Sequence, residues 1–74
     1  MGSTMNEFSL EGRPHIELCD LLKIMGFCPS GGIAKKLIAD GNVTVDGKTE
    51  YRKRCKIHSG QRVTLDKNQV TVAE

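Results

Sequence analysis

Apolar residues between Pro14 and Gly26 recur at steps of three and four, the spacing of one helix face. The stripe comprises Leu18, Leu21, Leu22 and Met25. Proline is tolerated at the first helical position because its missing N–H has no partner there, and glycine commonly follows the last turn. The pattern therefore predicts a first helix that starts near Pro14 and ends at Gly26.

A second apolar face follows a turn that contains proline, serine and two glycines. Its members are Ile33, Ala34, Leu37 and Ile38. Ser30 is suited to cap this helix, and Gly41 is expected to end it. Gly31 and Gly32 weaken the first turn by about 1 kcal/mol each relative to alanine. This cost points to a close approach of another group to the backbone, although a tight contact between helices would favour the same residues.

The rest of the chain alternates between polar and apolar residues, as strands with one buried face do. Strands are expected at residues 7–10, 43–45, 48–51, 55–57, 62–65 and 69–72, the first of them at a sheet edge. Asp46 and Gly47 form a strong hairpin signal, whereas residues 52–54 are too charged to be buried and are expected in a loop. The predicted fold class is α+β, with two short N-terminal helices packed on a small, mainly antiparallel β-sheet.

A chain of 74 residues has room for one domain with a small core. Residues 1–5 are expected to be a cloning remnant or a disordered end, and residues 6–74 to form the single domain. The small core and the absence of a nucleophile elbow, a Walker loop or an HExxH motif argue against an enzyme. We predict no catalytic residues and no cofactor. With no apolar run long enough for a membrane span and no leader, a cytoplasmic protein is expected.

The formal net charge of +2 conceals one strongly basic segment. Residues 48–62 contain six basic residues and one acidic residue, a net charge of +5, whereas residues 1–34 carry a net charge of −2. Such asymmetry favours a polyanionic partner, usually nucleic acid. An exposed charged segment without any partner would have the same composition.

Cations on a loop and backbone N–H groups at a helix start both suit phosphate binding. The candidate RNA-binding residues are Ser30, Gly31, Gly32, Lys35, Lys48, Arg52, Lys53, Arg54 and Lys56. We expect Lys35 and the cations of residues 52–56 to converge on one surface. Lys36 is expected to matter less, because it lies ~100° from Lys35 around the helix. With one tyrosine, two phenylalanines and no tryptophan, recognition by backbone, 2′-hydroxyl and shape is favoured over base stacking.

The three cysteines cannot all pair with one another, and their spacing contains no CxxC motif. A zinc site formed by Cys19, Cys28, Cys55 and His58 is conceivable. Only Cys55 and His58 are close in sequence, however, and structural zinc sites usually use closely spaced ligand pairs. Reduced thiols and no metal are therefore predicted, with Cys19 and Cys55 at least partly buried.

The order and spacing of these elements, from Ile16 to Leu65, resemble a known family. The matching positions are Leu18, Leu21, Leu22, Ser30, Ala34, Ile38, Gly41, Val43, Val45, Asp46, Gly47, residues 52–56, Gly60, Gln61 and Val63. The chain resembles the RNA-binding domain named after the fourth protein of the small ribosomal subunit, also called the alpha-L motif. Residues 30–32 and 52–56 resemble the short stand-alone bacterial subgroup of YbcJ-type proteins.

The resemblance implies RNA binding, and we expect a stand-alone RNA-binding module that is a monomer. Structured RNA, ribosomal or transfer RNA, is the expected partner, together with a ribosome-associated protein, and no membrane partner is expected. A protein–protein adaptor that uses residues 52–56 to bind an acidic partner remains the alternative from a different class.

Overall fold

The computed structural model describes residues 5–74 and contains two helices and seven strands in that range. The helices are α1 (Leu18–Ile24) and α2 (Gly31–Ala39). The strands are β1 (Met5–Ser9), β2 (Ile16–Glu17), β3 (Val43–Val45), β4 (Lys48–Thr49), β5 (Lys56–Ile57), β6 (Arg62–Leu65) and β7 (Asn68–Ala73). Residues 1–4, most of the expected remnant or disordered end, lie outside the described residues. Within the described range, neither helix has the length and apolar character needed to cross a membrane.

Five strands form one sheet in the order β1-β7-β6-β3-β4, and β2 pairs with β5 in a separate two-stranded sheet. All neighbouring strands run antiparallel except β1 and β7, which run parallel. The expected edge position of the first strand is confirmed. The fold is α+β with a mostly antiparallel sheet, but β1 and β2 precede the helices, so strands open the described chain.

The core lies between one face of the five-stranded sheet and the two helices. Residues of β3, β6 and β7 alternate between buried and more exposed positions, as expected for a sheet covered on one face. The main buried residues are Leu18, Leu21, Leu22, Ala34 and Ile38 from the helices and Val43, Val45, Val63, Leu65, Val70 and Val72 from the sheet. The predicted stripe of α1 is confirmed, with Met25 only partly buried after its last turn.

The predicted start of the first helix at Pro14 is wrong, because α1 begins at Leu18. The two residues before α1 form β2 instead and pair with β5. This pairing places Ile16 opposite Ile57, and both side chains are buried. A contact between distant parts of the chain that buries two isoleucines thus overrides the local helix signal of the proline.

The cap and the end of the second helix and the hairpin turn follow the predictions. Of the predicted apolar face, Ala34 and Ile38 are buried and Leu37 is partly buried, but Ile33 is wrong because it is exposed. The Ser30 hydroxyl accepts a hydrogen bond from the N–H of Ile33 at 3.3 Å and caps α2. Gly41 follows the helix with φ of +83°, a conformation that favours glycine. Asp46 and Gly47 have φ of +54° and +84°, as a type I′ hairpin turn between β3 and β4 requires.

Candidate nucleic-acid interface

Residues 52–56, here called the basic loop, are tied to the start of α1 by backbone hydrogen bonds. The N–H of Leu18 donates to the carbonyl oxygen of Cys55 at 2.9 Å, and the N–H of Cys19 donates to that of Lys53 at 3.2 Å. Helix α1 has no side-chain cap of its own, so these carbonyls satisfy N–H groups of its first turn. The backbone of the basic loop is therefore fixed, although most of its side chains are exposed.

Arg52 is oriented by Glu50. The carboxylate accepts hydrogen bonds from Nε of Arg52 at 2.9 Å, from Nη2 at 3.3 Å and from the backbone N–H at 3.0 Å. These bonds lower the pKa of Glu50 from 4.5 to about 2, and the same carboxylate raises the pKa of Arg52. The Arg52 side chain nevertheless remains 77% exposed, against 17% for Glu50. Arg52 thus presents a fixed guanidinium group to solvent.

A second carboxylate lies beside the basic loop. Oε1 of Glu17 is 4.0 Å from Nε of Arg54, and Glu17 also lies opposite Lys56 in the β2–β5 pair. The Arg54 side chain is 72% exposed, so this ion pair is weak. The net charge of +5 for residues 48–62 therefore overstates the local field, because Glu17 joins the basic loop from another part of the chain.

The basic loop and the residue after β5 line an open pocket of about 600 Å³. Its lining consists of Arg52, Arg54, Cys55, Lys56 and His58. Three of these five residues are cations and none is a carboxylate. Burial is the main cause that raises the pKa of Cys55, so this thiol stays protonated near neutral pH. In the sequence, His58 is a candidate only for the conceivable zinc site, whereas the structure places it in the wall of a cationic pocket.

The other part of the predicted site is the start of α2. A Cβ atom added at Gly31 would meet only Cδ of Lys23 at 4.0 Å, and one added at Gly32 would meet only the hydroxyl oxygen of Ser30 at 3.9 Å. Neither glycine has a positive φ. Neither helix packing nor backbone conformation therefore requires these two glycines, and the close approach of a ligand stays a prediction.

The two parts of the predicted site lie at opposite ends of α1. Lys23, in the last turn of α1, lies beside Gly31, whereas the basic loop caps the first turn. A seven-residue helix is about 10 Å long. Lys35 is half-buried on α2, Lys36 is exposed, and Lys48 is exposed on the edge strand β4. Convergence of Lys35 with the basic loop stays a prediction.

All three cysteines are free. Cys19 and Cys28 are buried and Cys55 is half-buried, which confirms the predicted burial of Cys19 and Cys55. The four residues considered for zinc do not form one group. Within residues 5–74, the group of three potential metal ligands that does form contains Glu17, Cys19 and Asp20, with ligand atoms within 4.8 Å of one another. Such acidic groups are common without an ion, so this geometry alone assigns no metal site.

Known proteins are similar to this chain in sequence and in fold. Residues 8–73 match the S4 domain family. The Escherichia coli K12 protein named "Putative RNA-binding protein YbcJ" and the Shigella flexneri protein named "Uncharacterized protein YbcJ" are each 54% identical over 68 residues, which cover 92% of this chain and 97% of theirs.

The solution structure of E. coli YbcJ, described as revealing an alpha-L motif involved in RNA binding, is similar to this structure. The TM-score is 0.76 at 51% identity, and the similarity covers 100% of this chain and 94% of that one. Sequence and structure agree over almost the whole length of both proteins. The chain therefore belongs to the S4 domain family.

Proposed function

We propose that this chain is a stand-alone RNA-binding module that recognises structured RNA, ribosomal or transfer RNA, through a basic face. The observation that carries the proposal is the basic loop, whose backbone is fixed to α1 while its cations stand in solvent. Membership of the S4 domain family and the description of E. coli YbcJ support the same function.

The basic loop suits the RNA backbone because its cations differ in how they are held. Arg52 is oriented by Glu50, which occupies its Nε and Nη2 atoms, so its Nη1 group can donate a charged hydrogen bond to one phosphate. Lys53 has no ion pair among the described residues and can follow a second phosphate with its flexible side chain. Together these residues bind a backbone without reading bases, as expected for recognition of RNA shape.

The start of α2 supplies a second contact in this proposal. Gly31 and Gly32 expose their backbone N–H groups without side chains, and the helix dipole favours a negative group at this end. Lys35 lies one turn further along α2 and can add a charge contact. Since the two contacts are separated by about the length of α1, they engage different phosphates of one RNA.

Replacing Arg52, Lys53 and Arg54 together with alanine tests the function. If phosphates dominate binding, the wild-type slope of log affinity against log salt is very roughly −2 to −4.5. The triple variant should lose about one unit of slope for each phosphate contact removed, and should weaken binding to all structured RNAs alike. Fluorescence anisotropy at several salt concentrations measures both effects.

Lys67→Ala is the matched control, because Lys67 is exposed in the turn between β6 and β7 and is not a candidate contact. It should change affinity little. Circular dichroism should show both variants folded, since the replaced side chains are exposed. A folded triple variant with an unchanged salt slope would contradict RNA binding through the basic loop and would favour the adaptor for an acidic protein partner.

A further inference from the structure

His58 is held in a defined orientation at the wall of the cationic pocket. Its backbone N–H donates to Oε1 of Gln61 at 2.7 Å, and its Nδ1 lies 3.2 Å from the carbonyl oxygen of Pro14. Its ring also lies against that of His15, with centroids 5.9 Å apart. The imidazole is therefore fixed although the residue is exposed.

The contact with Pro14 determines which ring nitrogen carries the hydrogen. A carbonyl oxygen only accepts hydrogen bonds, so Nδ1 of His58 must be the donor. In the neutral ring, Nε2 is then an acceptor. Among residues 5–74, Nε2 of His58 has no hydrogen-bond partner. The pocket wall therefore offers an oriented and unused acceptor.

This acceptor stands among groups that only donate. The guanidinium groups of Arg52 and Arg54 and the ammonium group of Lys56 have no acceptor atoms. Phosphate oxygens suit these three cations, but a phosphodiester cannot donate a hydrogen bond to Nε2. In an RNA backbone the group that can donate is the ribose 2′-hydroxyl, which DNA lacks. The pocket volume of about 600 Å³ lies within the range that holds molecules of nucleotide size.

We propose that the pocket holds one ribonucleotide unit, with its phosphate against the three cations and its 2′-hydroxyl donating to Nε2 of His58. The inference rests on the proposed RNA-binding function and deepens it, because it names the residue that distinguishes RNA from DNA. The cations contribute most of the affinity, and His58 contributes the sugar discrimination.

The test compares His58→Leu with the wild type on three probes of one hairpin sequence: RNA, 2′-O-methyl RNA and DNA. All titrations are made near pH 8. The variant should bind RNA about three- to tenfold more weakly, as expected for one lost hydrogen bond, and should bind the other two probes as the wild type does. The preference for RNA over 2′-O-methyl RNA should fall by that factor.

His15→Leu is the control, since His15 lies beside His58 but does not line the pocket. It should leave the preference unchanged. Equal weakening of RNA and 2′-O-methyl RNA by His58→Leu would overturn the inference while leaving the proposed function intact. Absence of RNA binding by the wild type would instead overturn the proposed function.

A second measurement uses the wild-type protein and does not depend on the variant folding. Long-range proton–nitrogen NMR spectra distinguish the two neutral tautomers of His58 directly. The expected result is a hydrogen on Nδ1 in the free protein and a shift of the Nε2 resonance with RNA but not with 2′-O-methyl RNA. A hydrogen on Nε2 at this pH would overturn the inference.

Discussion

The basic loop and the start of α2 contain similar groups for phosphate binding, but the fold holds them differently. In the basic loop, backbone carbonyls cap α1 and Glu50 orients Arg52. At the start of α2, the helix itself is capped, but Lys35 and Lys36 have no ion pair among the described residues. A charge pattern thus locates cations, while the local contact with Glu50 and the tertiary contacts with α1 decide which of them are oriented before RNA binds. Oriented cations lose less side-chain entropy on binding, so the basic loop is expected to dominate affinity.

Glu50→Gln separates the orientation of Arg52 from the net charge beside the basic loop. Of the variants compared here, it has the largest expected effect on RNA affinity. The variant removes one negative charge beside the basic loop, so a simple charge count predicts tighter RNA binding. If the orientation of Arg52 matters more, binding should weaken, by roughly three- to tenfold. Anisotropy titrations against structured RNA at fixed salt measure the change. Tighter binding by a folded variant would show that net charge outweighs orientation.

The hydrogen bonds between Glu50 and Arg52 also predict that the free energy of unfolding depends on pH in the acid range. The pKa of Glu50 is about 2 in the folded protein, below the ordinary value of 4.5, so its ionised form stabilises the fold. This contribution should be complete above about pH 4.5 and should disappear as the pH falls towards 2. Urea denaturation of the wild type and Glu50→Gln across this range measures the difference in their free energies of unfolding. Other acidic groups are common to both proteins, so a difference that stays constant over this range would contradict the assigned pKa.

Alanine at both Gly31 and Gly32 tests whether the start of α2 is shaped for a ligand. The space beside both glycines is open, so the fold should gain about 0.5–1 kcal/mol for each replacement. RNA binding should weaken by about threefold, because the new methyl groups keep a phosphate away from the backbone N–H groups. Urea denaturation and anisotropy measure the two effects separately. A more stable variant with unchanged affinity would remove this region from the RNA-binding surface.

Gly41→Ala is the matched control for that experiment. Gly41 has φ of +83°, and an added Cβ would lie 3.2 Å from Cε1 of Tyr51. The fold should therefore lose about 1–3 kcal/mol. RNA affinity of the folded fraction should stay the same, which is the reverse of the pattern expected at the start of α2.

The parts of the fold that the sequence predicts well depend on residues close together in the chain. The cap of α2 by Ser30 and the hairpin at Asp46 and Gly47 each depend on a few neighbouring positions. The predicted start of α1 is wrong because residues 16–17 pair with residues 56–57. No residue near Pro14 indicates that this segment pairs with β5. The parallel pairing of β1 with β7 joins the two ends of the described chain and is equally invisible to local patterns.

The candidate site likewise combines features that depend on residues close together in the chain with features that depend on distant ones. The charge pattern located the cations of the basic loop, but Glu17 reaches them through a tertiary contact. His58 is close to them in sequence, and its tertiary contact is with the carbonyl oxygen of Pro14. In the charge pattern, Glu50 is only the one acidic residue that lowers the net charge of residues 48–62. The sequence did contain a local signal that Glu50 orients Arg52, because residues two apart in an extended chain point to the same side. That spacing brings Glu50 and Arg52 together.

Glu17→Gln has the smallest expected effect and completes the comparison with Glu50. Both variants remove one negative charge beside the basic loop, but Glu17 is 4.0 Å from Arg54 and its side chain is 40% exposed, so it competes with phosphate more than it orients the cation. RNA binding should therefore tighten by about twofold at low salt, and the gain should vanish as salt screens exposed charges.

Asp66→Asn, in the turn between β6 and β7, makes the same charge change away from the basic loop and should have almost no effect on RNA binding. Weaker binding by Glu17→Gln would mean that this carboxylate orients Arg54 as Glu50 orients Arg52, and equal tightening by Asp66→Asn would mean that only the total charge of the domain matters.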